Sequence, residues 1–351
     1  MKYLFIISLL FFSSLYADIP EGYYDGTEGL TGEDLKTALH DIIDNHVEFP
    51  YTSTSADTWD ILKETDRDPD NPDNVILIYT GWSVDAEQEY NNGQGWSREH
   101  VWAKSHGDFG TAPGAGTDVH HLRPCDISVN SSKSNKDFDN GGVEYIDPDG
   151  GPTGCYRTTY TWEPREAVKG DVARMIFYMA TRYEGDNGEV DLEVVDYAPS
   201  APNHEPVHGV FSTLVEWHVE DPVDEWEENR NDIIYEDYQE NRNPFIDHPE
   251  FVEMIYNINS AEDPQVSPEF NIISNYPNPF NPITTISFEI QEGESGILTI
   301  FNLKGQSIES HEFNAGNYDY TWNADEYGSG LYFYQLKTEN NLQAGRMLLL
   351  K

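Results

Sequence analysis

Residues 97–106 read SREHVWAKSH, and residues 118–135 read DVHHLRPCDISVNSSKSN. Glu99 stands beside His100, and Asn130 follows the histidine by thirty residues. This set suits the hydrolysis of a phosphodiester, which has three requirements. A water must lose a proton, the phosphorus must tolerate added negative charge, and the leaving oxygen needs a cation or an acid. Histidine suits the first task because its ordinary pKa lies near neutrality. A hard divalent cation suits the other two. Magnesium keeps several waters, so one carboxylate (Glu99) and one amide (Asn130) are enough protein ligands. In an extended segment, neighbours 99 and 100 point to opposite faces, so a bend or twist must bring both toward one phosphate. A Glu-His pair alone is weak evidence, since many proteins contain one. His100, His106, His120 and His121 also make a candidate zinc set, because imidazole suits zinc. A site that uses a histidine as base cannot give all of them to metal. His208, His218 and His248 read as structural residues.

Several elements must position these residues. Leu35, Leu39, Ile42, Ile43 and His46 fall at helical spacing from Thr31 onward, and Thr31 with Asp34 can form a capping box. Trp59 and Leu62 suggest a second short helix. DRDPDNPDN, residues 66 to 74, reads as a solvated turn, with calcium binding the competing reading. VILIYT after it has the pattern of a buried strand. From Gly81 to Gly154 the chain is rich in Gly, Asn, Asp and His, as expected of a site built on loops. The clearest helix follows, with Val172, Met175, Ile176, Met179, Ala180 and Tyr183 forming a core-facing stripe. More helix is expected between Gly209 and Tyr256, broken at Pro222, Pro244 and Pro249. Near residue 265 the prolines multiply and the periodicity becomes two. Ile286, Phe288 and Ile290 alternate, as do Tyr318, Tyr320 and Trp322, with glycines between such runs. That pattern predicts a small antiparallel sandwich without any reactive cluster.

A chain of 351 residues is comfortable as two domains. Lys2, the apolar run Leu4 to Leu15 and the small Ala17 read as a signal peptide over residues 1–17, with an N-terminal anchor the alternative. Export makes a disulfide between Cys125 and Cys155 the expectation. The net charge is −44, a poor match for a polyanionic partner. The acids are uneven: Glu216 to Asp263 holds sixteen against two arginines, while the Glu99–Asn135 stretch is more balanced. A bound cation would also change the local sign.

Residues 31–250 resemble the bacterial endonuclease I family, secreted and periplasmic nucleases of the His-Me finger (ββα-metal) class. WSREHVWAKSHG, DVHHLRP, SVN with SKSN, KGDVARMIFYMATRY and NRNPFIDHPE carry the resemblance in order and spacing. It implies an α+β nuclease domain with His100 as general base and Glu99 and Asn130 as ligands of Mg2+, with Mn2+ or Ca2+ as substitutes. It further implies that Asp118, His121 and Asn135 orient the site. Ala103 stands where the family often has proline, and Lys133 where arginine is common. Some members place an arginine against the cleaved phosphate, but none lies between His100 and Asp118. Arg98, Lys104 and Arg123 are the candidates to replace it.

The last 80 or so residues resemble the type A sorting domain of the type IX secretion system, through NYPNPFNP at 275–282, GLYFYQL and the closing MLLLK. The resulting expectation is a signal peptide (1–17), a nuclease domain (18–264), a linker (265–274) and a β-sandwich sorting domain (275–351). The substrates would be DNA and also RNA, because phosphate-directed chemistry carries no base information. The type IX machinery would be the second partner, the protein a monomer, and its location extracellular or at the cell surface. An acidic, calcium-binding surface adhesin and a decayed nuclease that only binds nucleic acid are the rival readings.

Overall fold

The computed structural model describes residues 19–198, 204–258, 274–276, 280–302, 307–328, 330–338, 342–349 and 351. The signal peptide expected over 1–17, residues 265–273 of the expected linker and part of the NYPNPFNP motif lie outside the described residues. The chain divides into two compact units, Met1–Ser260 and Ala261–Lys351.

The first unit begins with α1 (Gly32–Ile43), whose Leu35, Leu39 and Ile43 are fully buried. Thr31 is its N-cap residue but makes no side-chain cap bond, so the box expected there is not formed. The capping box belongs to α2 (Thr58–Thr65), where Asp57 and Asp60 exchange bonds with each other's amides. Two three-residue strands, β1 (Asn74–Ile76) and β2 (Ser83–Asp85), pair antiparallel. Only the start of VILIYT is therefore strand; Leu77, Ile78 and Tyr79 are buried without one. The preceding turn is not simply solvated either. Asp66 is fully buried against Arg123 and Arg230, and Asp68 accepts from the Ser83 hydroxyl.

Next come β3 (Trp96–His100) and β4 (Leu122–Asp126), an antiparallel pair running straight into α3 (Ile127–Lys133). Behind them β5 (Asp137–Phe138), β6 (Val143–Asp147), β7 (Gly151–Arg157) and β8 (Thr161–Glu163) form a sheet in the order β5-β8-β7-β6. The helix α4 (Lys169–Arg182) was expected to bury one stripe; all fourteen of its residues are buried. Its polar face survives this by pairing: Arg174 with Glu227, and Arg182 with Asp44 and Glu189. Two short parallel strands, β9 (Glu193–Val194) and β10 (Val207–His208), precede α5 (Phe211–Glu220), α6 (Glu225–Ile233), α7 (Pro244–Asp247) and α8 (Glu250–Tyr256). The last three helices begin after Pro222, at Pro244 and after Pro249.

Cys125 and Cys155 are both buried free thiols, which corrects the expected disulfide. The Cys155 thiol is turned to the Tyr79 carbonyl at 3.1 Å instead of to a second sulfur. Burial pushes the Cys125 thiol well above its ordinary pKa and that of Cys155 up to about 11, so both are inert at neutral pH.

The second unit is all-β. β11 (Ser274–Tyr276), β12 (Ile283–Asn302), β13 (Ser307–Asn323), β14 (Gly330–Lys337) and β15 (Leu342–Leu349) hydrogen-bond into one five-stranded sheet. Gly293 and Gly296 were expected to separate short strands of a sandwich. In fact β12 continues through them, with a register shift between Ile290 and Ser295. The period of two is real. Ile286, Phe288, Ile290, Leu298 and Ile300 all point into the unit's own core, with Trp322, Tyr334 and Met347. No helix among the described residues is long and apolar enough to cross a membrane.

Candidate active site

The β3-β4-α3 unit puts three of the expected side chains on one cleft. Glu99 lies opposite Arg123 in the ladder, and His100 opposite Leu122. Asp126 is both the last residue of β4 and the N-cap of α3, accepting from the Ser128 and Val129 amides at 2.8 and 3.1 Å. Asn130 therefore follows one turn into the helix. Its amide nitrogen donates to Ser97 Oγ at 3.1 Å and to the Arg98 carbonyl at 3.4 Å, which ties α3 to β3. That leaves the amide oxygen as the free end. Glu99, His100 and Asn130 line a cleft of about 430 Å³ with Arg98, Ala103, Lys104, Ser105, Ser134 and Asn135. A larger hollow of about 700 Å³ lies around Asp60, Glu64 and Asp85, but no histidine lines it.

His100 is held in one orientation. Its ring stacks on Tyr51 at 5.6 Å and 23°, and Nε2 lies 3.0 Å from the Gly116 carbonyl. A carbonyl only accepts, so Nε2 carries the proton and Nδ1 keeps a lone pair. Burial, and then the neighbouring His121, hold its pKa well below the ordinary value. The ring is thus neutral and basic at Nδ1 near pH 7.

Glu99 is only 2% exposed, and Oε1 receives the Tyr79 hydroxyl at 3.1 Å and the Lys133 amine at 3.3 Å. Burial raises its pKa, opposed by the Lys133 charge. Lys133 itself is fully buried, with its amine also donating to the Val101 carbonyl at 3.1 Å. Sequence reasoning noted it only as a departure from the family. Its position three after Asn130, on the same face of α3, was the available signal.

The remaining expected residues separate into near and far. Asn135 lines the cleft. His121 packs edge-on to His100 at 5.6 Å; its Nε2–H donates to the Ala115 carbonyl at 2.8 Å, and its Nδ1 has no hydrogen-bond partner. Asp118 does not line the cleft. It is a buried hub that receives Tyr178, Tyr183, the His120 amide and Gln239. Burial raises the Asp118 pKa, but His46, His120, His121 and these donors outweigh it and hold the group ionised far below its ordinary range.

Of the three candidate phosphate cations, Arg123 is locked between Asp66 and Asp171. Arg98 lines the cleft, but its guanidinium lies over Tyr51 and Trp59 and donates to the Tyr51 carbonyl, Thr52 and Thr58. Lys104 also lines the cleft and is exposed. Of the three, it is the exposed one.

The four-histidine zinc set is not assembled. His100, His120 and His121 each face a different backbone carbonyl: Gly116, Asn241 and Ala115. His218 is structural as expected, between Arg174 and the Pro249 carbonyl. His208, expected to be a satisfied structural residue, instead stands with His106 and Asp137 in a buried group.

A strand pair feeding a short helix thus brings a neutral histidine, a carboxylate and an amide onto one cleft. Comparison with known proteins gives it a family. Residues 31–250 match the model of the Endonuclease I family, and the chain belongs to it. Residues 274–350 match the secretion system C-terminal sorting domain. The chain is 53% identical over 251 residues to the extracellular ribonuclease of Bacillus subtilis (strain 168), spanning 72% of this chain and 83% of that protein. It is also 53% identical over 236 residues to the extracellular ribonuclease of Bacillus amyloliquefaciens, spanning 67% and 78%. A solved structure of PorZ from the type-IX secretion system of Porphyromonas gingivalis is 20% identical, covering 22% of this chain and 11% of PorZ, with a TM-score of 0.18 that carries no argument about fold. The protein is a secreted nuclease that reaches the cell exterior or surface with a type IX sorting tail.

Proposed function

We propose that the chain is a metal-dependent, sequence-nonspecific endonuclease of the His-Me finger class that cleaves RNA and DNA. The observation that carries this is the neutral His100, with Nε2 committed to Gly116 and Nδ1 free, beside Glu99 and Asn130 on one cleft. His100 Nδ1 takes the proton of the attacking water as its oxygen bonds to phosphorus, and the bond from phosphorus to the ester oxygen breaks, that oxygen leaving to take a proton from solvent. The Gly116 carbonyl and the Tyr51 ring keep that lone pair aimed, and they stabilise the imidazolium that forms. Lys104 meets the phosphate oxygens from the open side.

The donor set fits a hard divalent cation. A carboxylate and an amide oxygen face one space, and α3 is pinned so that the Asn130 oxygen is the free end. Glu99 and Asn130 would hold magnesium, which supplies charge neutralisation at the phosphate and the leaving oxygen when bound. Lys133 compensates the buried Glu99 charge and fixes its carboxylate from below. RNA as a substrate draws support from the names of the Bacillus relatives, and DNA is included because chemistry directed at the phosphate carries no base information. Incubating plasmid DNA and a long RNA with the protein in magnesium, and then in chelator, tests the reading. Degradation of both substrates only with the metal is expected. Binding without cleavage would leave the decayed-nuclease reading, and cleavage in chelator would remove the metal from the mechanism.

A further inference from the structure

His106, Asp137 and His208 are drawn from three separate segments and meet in the interior of the first unit. They are 2%, 2% and 0% exposed, and one ligand atom from each lies within 4.8 Å of the others. His208 Nδ1 is 3.3 Å and His106 Nδ1 3.9 Å from the same oxygen, Asp137 Oδ1. Among the described residues, His106 Nδ1 and His208 Nε2 have no hydrogen-bond partner. A buried imidazole nitrogen without a partner is costly, and native structures rarely leave one without a reason. For His106 the spacing supplies one, since its unpartnered Nδ1 is the nitrogen turned to Asp137. Ligand atoms about 2.0–2.1 Å from a tetrahedral zinc stand about 3.3–3.5 Å apart, close to the distances here.

We propose that His106, Asp137 and His208 form a second metal site, separate from the Glu99–Asn130 cleft, which takes a zinc-class divalent cation. Two imidazoles and a carboxylate favour a borderline ion over magnesium, which prefers oxygen ligands. In the metal-free chain the Gly209 carbonyl, 3.2 Å away, accepts from His208 Nδ1, so a cation bound at that nitrogen displaces this hydrogen bond and moves the ring proton to Nε2.

The site has a clear structural task. Ala103, Lys104 and Ser105 line the catalytic cleft immediately before His106, and Ser134 and Asn135 line it just before Asp137. A cation here clamps both cleft loops to β10, which carries His208. The role is structural, so it stands independently of the proposed reaction.

The test uses the full chain, freed of any histidine tag and dialysed against millimolar magnesium. Elemental analysis should find one zinc per chain, and the Glu99→Gln variant should retain it. His106→Gln and Asp137→Asn should each lose most of it. After stripping with a strong chelator, the thermal midpoint of the wild-type protein should fall and recover on adding zinc chloride. The midpoints of the two ligand variants should not respond. Cobalt chloride added to stripped protein should give the visible absorption of a tetrahedral complex. A folded, stripped wild type that neither binds zinc nor shifts its midpoint overturns the proposal, even if the variants fail to fold. So does zinc that survives in His106→Gln but is lost in Glu99→Gln, since it would then sit in the catalytic cleft.

Discussion

The two units of this chain bury different things. Among the described residues, the first buries Glu99, Asp118, Arg123, Lys133, Arg174, Glu227 and Arg230, together with eight histidines. The polar residues buried in the second are Thr284 and Thr338, beneath a core of aromatic and aliphatic side chains. A buried charge costs several kcal/mol unless it is paired and hydrogen-bonded, so a unit that repeats the expense must pair each one. The first unit does so with short-range ion pairs and backbone carbonyls. The second avoids the problem by strict alternation on a sheet. The difference locates function: titratable groups held in fixed protonation states are what a hydrolytic site needs, and the sorting sheet needs none.

The largest effect should come from the group that reacts. His100→Ala should lower the rate by ~10²–10⁴-fold, the usual contribution of a general base, with the magnesium dependence unchanged. Asn130→Ala and Glu99→Gln should instead raise the magnesium concentration that gives half-maximal activity. Rates measured across a magnesium series separate the two classes. If His100→Ala shifts the magnesium dependence as strongly as Asn130→Ala, the histidine is a ligand and the roles assigned here are wrong.

A second comparison is between two cations near β3, one buried and one exposed. Arg123→Ala strands Asp171 in the interior and leaves Asp66 with Arg230 alone, where breaking a buried pair costs about 3–5 kcal/mol. Lys104→Ala leaves no buried partner behind and should not change the denaturation midpoint. It should lower kcat/KM, by weakening the contact with phosphate. Equal loss of stability in both variants would show that Lys104 has a structural partner, and an unchanged kcat/KM would remove it from the cleft chemistry.

How legible each unit was follows from the same contrast. Ile286, Phe288, Ile290 and their partners announced strands through a period of two, because a half-buried sheet repeats one simple rule. Only the continuity of β12 through Gly293 and Gly296 was missed, since a glycine reads as a break when it also serves as a bulge. In the first unit α1 and α4 were legible by periodicity, yet the full burial of α4 was not. The pairing of Arg174 with Glu227 and of Arg182 with Asp44 and Glu189 depends on distant segments that no local pattern reveals. At the cleft, Glu99, His100 and Asn130 were found by residue type and family words together. Gly116 and Tyr51, which fix the His100 tautomer and plane, act through a carbonyl and a ring face. Neither feature has a sequence signature. The fate of Arg98 and Arg123 was equally hidden, because a free arginine and a locked one are the same letter.

The neutral histidines give the contrast a pH dependence. His218 receives an Arg174 N–H at Nδ1 (3.5 Å) and donates Nε2–H to the Pro249 carbonyl (3.0 Å), so both ring positions are set for the neutral form. Burial, and then Arg174, lower its pKa to about 4. Between that value and the ordinary 6.5 the unfolded chain binds the extra proton, so stability falls as pH drops through this window. Its contribution is complete above pH 6.5, and at one pKa unit per 1.36 kcal/mol the loss on acidification approaches roughly 3 kcal/mol. His218→Gln keeps a donor for Pro249 but cannot titrate. The stability difference between wild type and this variant, from denaturant unfolding at pH 7 and pH 4.5, should move against the wild type at the lower pH. A pH-independent difference would mean that His218 is already charged or already exposed.

The smallest expected effect belongs to the second unit. Its described polar groups include no cluster of metal-binding side chains, and the residues lining the cleft all fall between Arg98 and Asn135. We therefore expect a chain ending near Asp263 to keep the kcat/KM of the full-length nuclease and the thermal midpoint of its first unit. Removing the sheet also removes acidic surface, which repels a polyanion over distances set by the Debye length. Any change in KM should therefore appear at low salt and vanish at moderate salt, with kcat the same throughout. That salt signature separates a distant field from a contact. A drop in kcat that persists at moderate salt, in a truncated protein with an unchanged midpoint, would mean that the sorting unit takes part in the reaction, and the division of labour between the two units would fail.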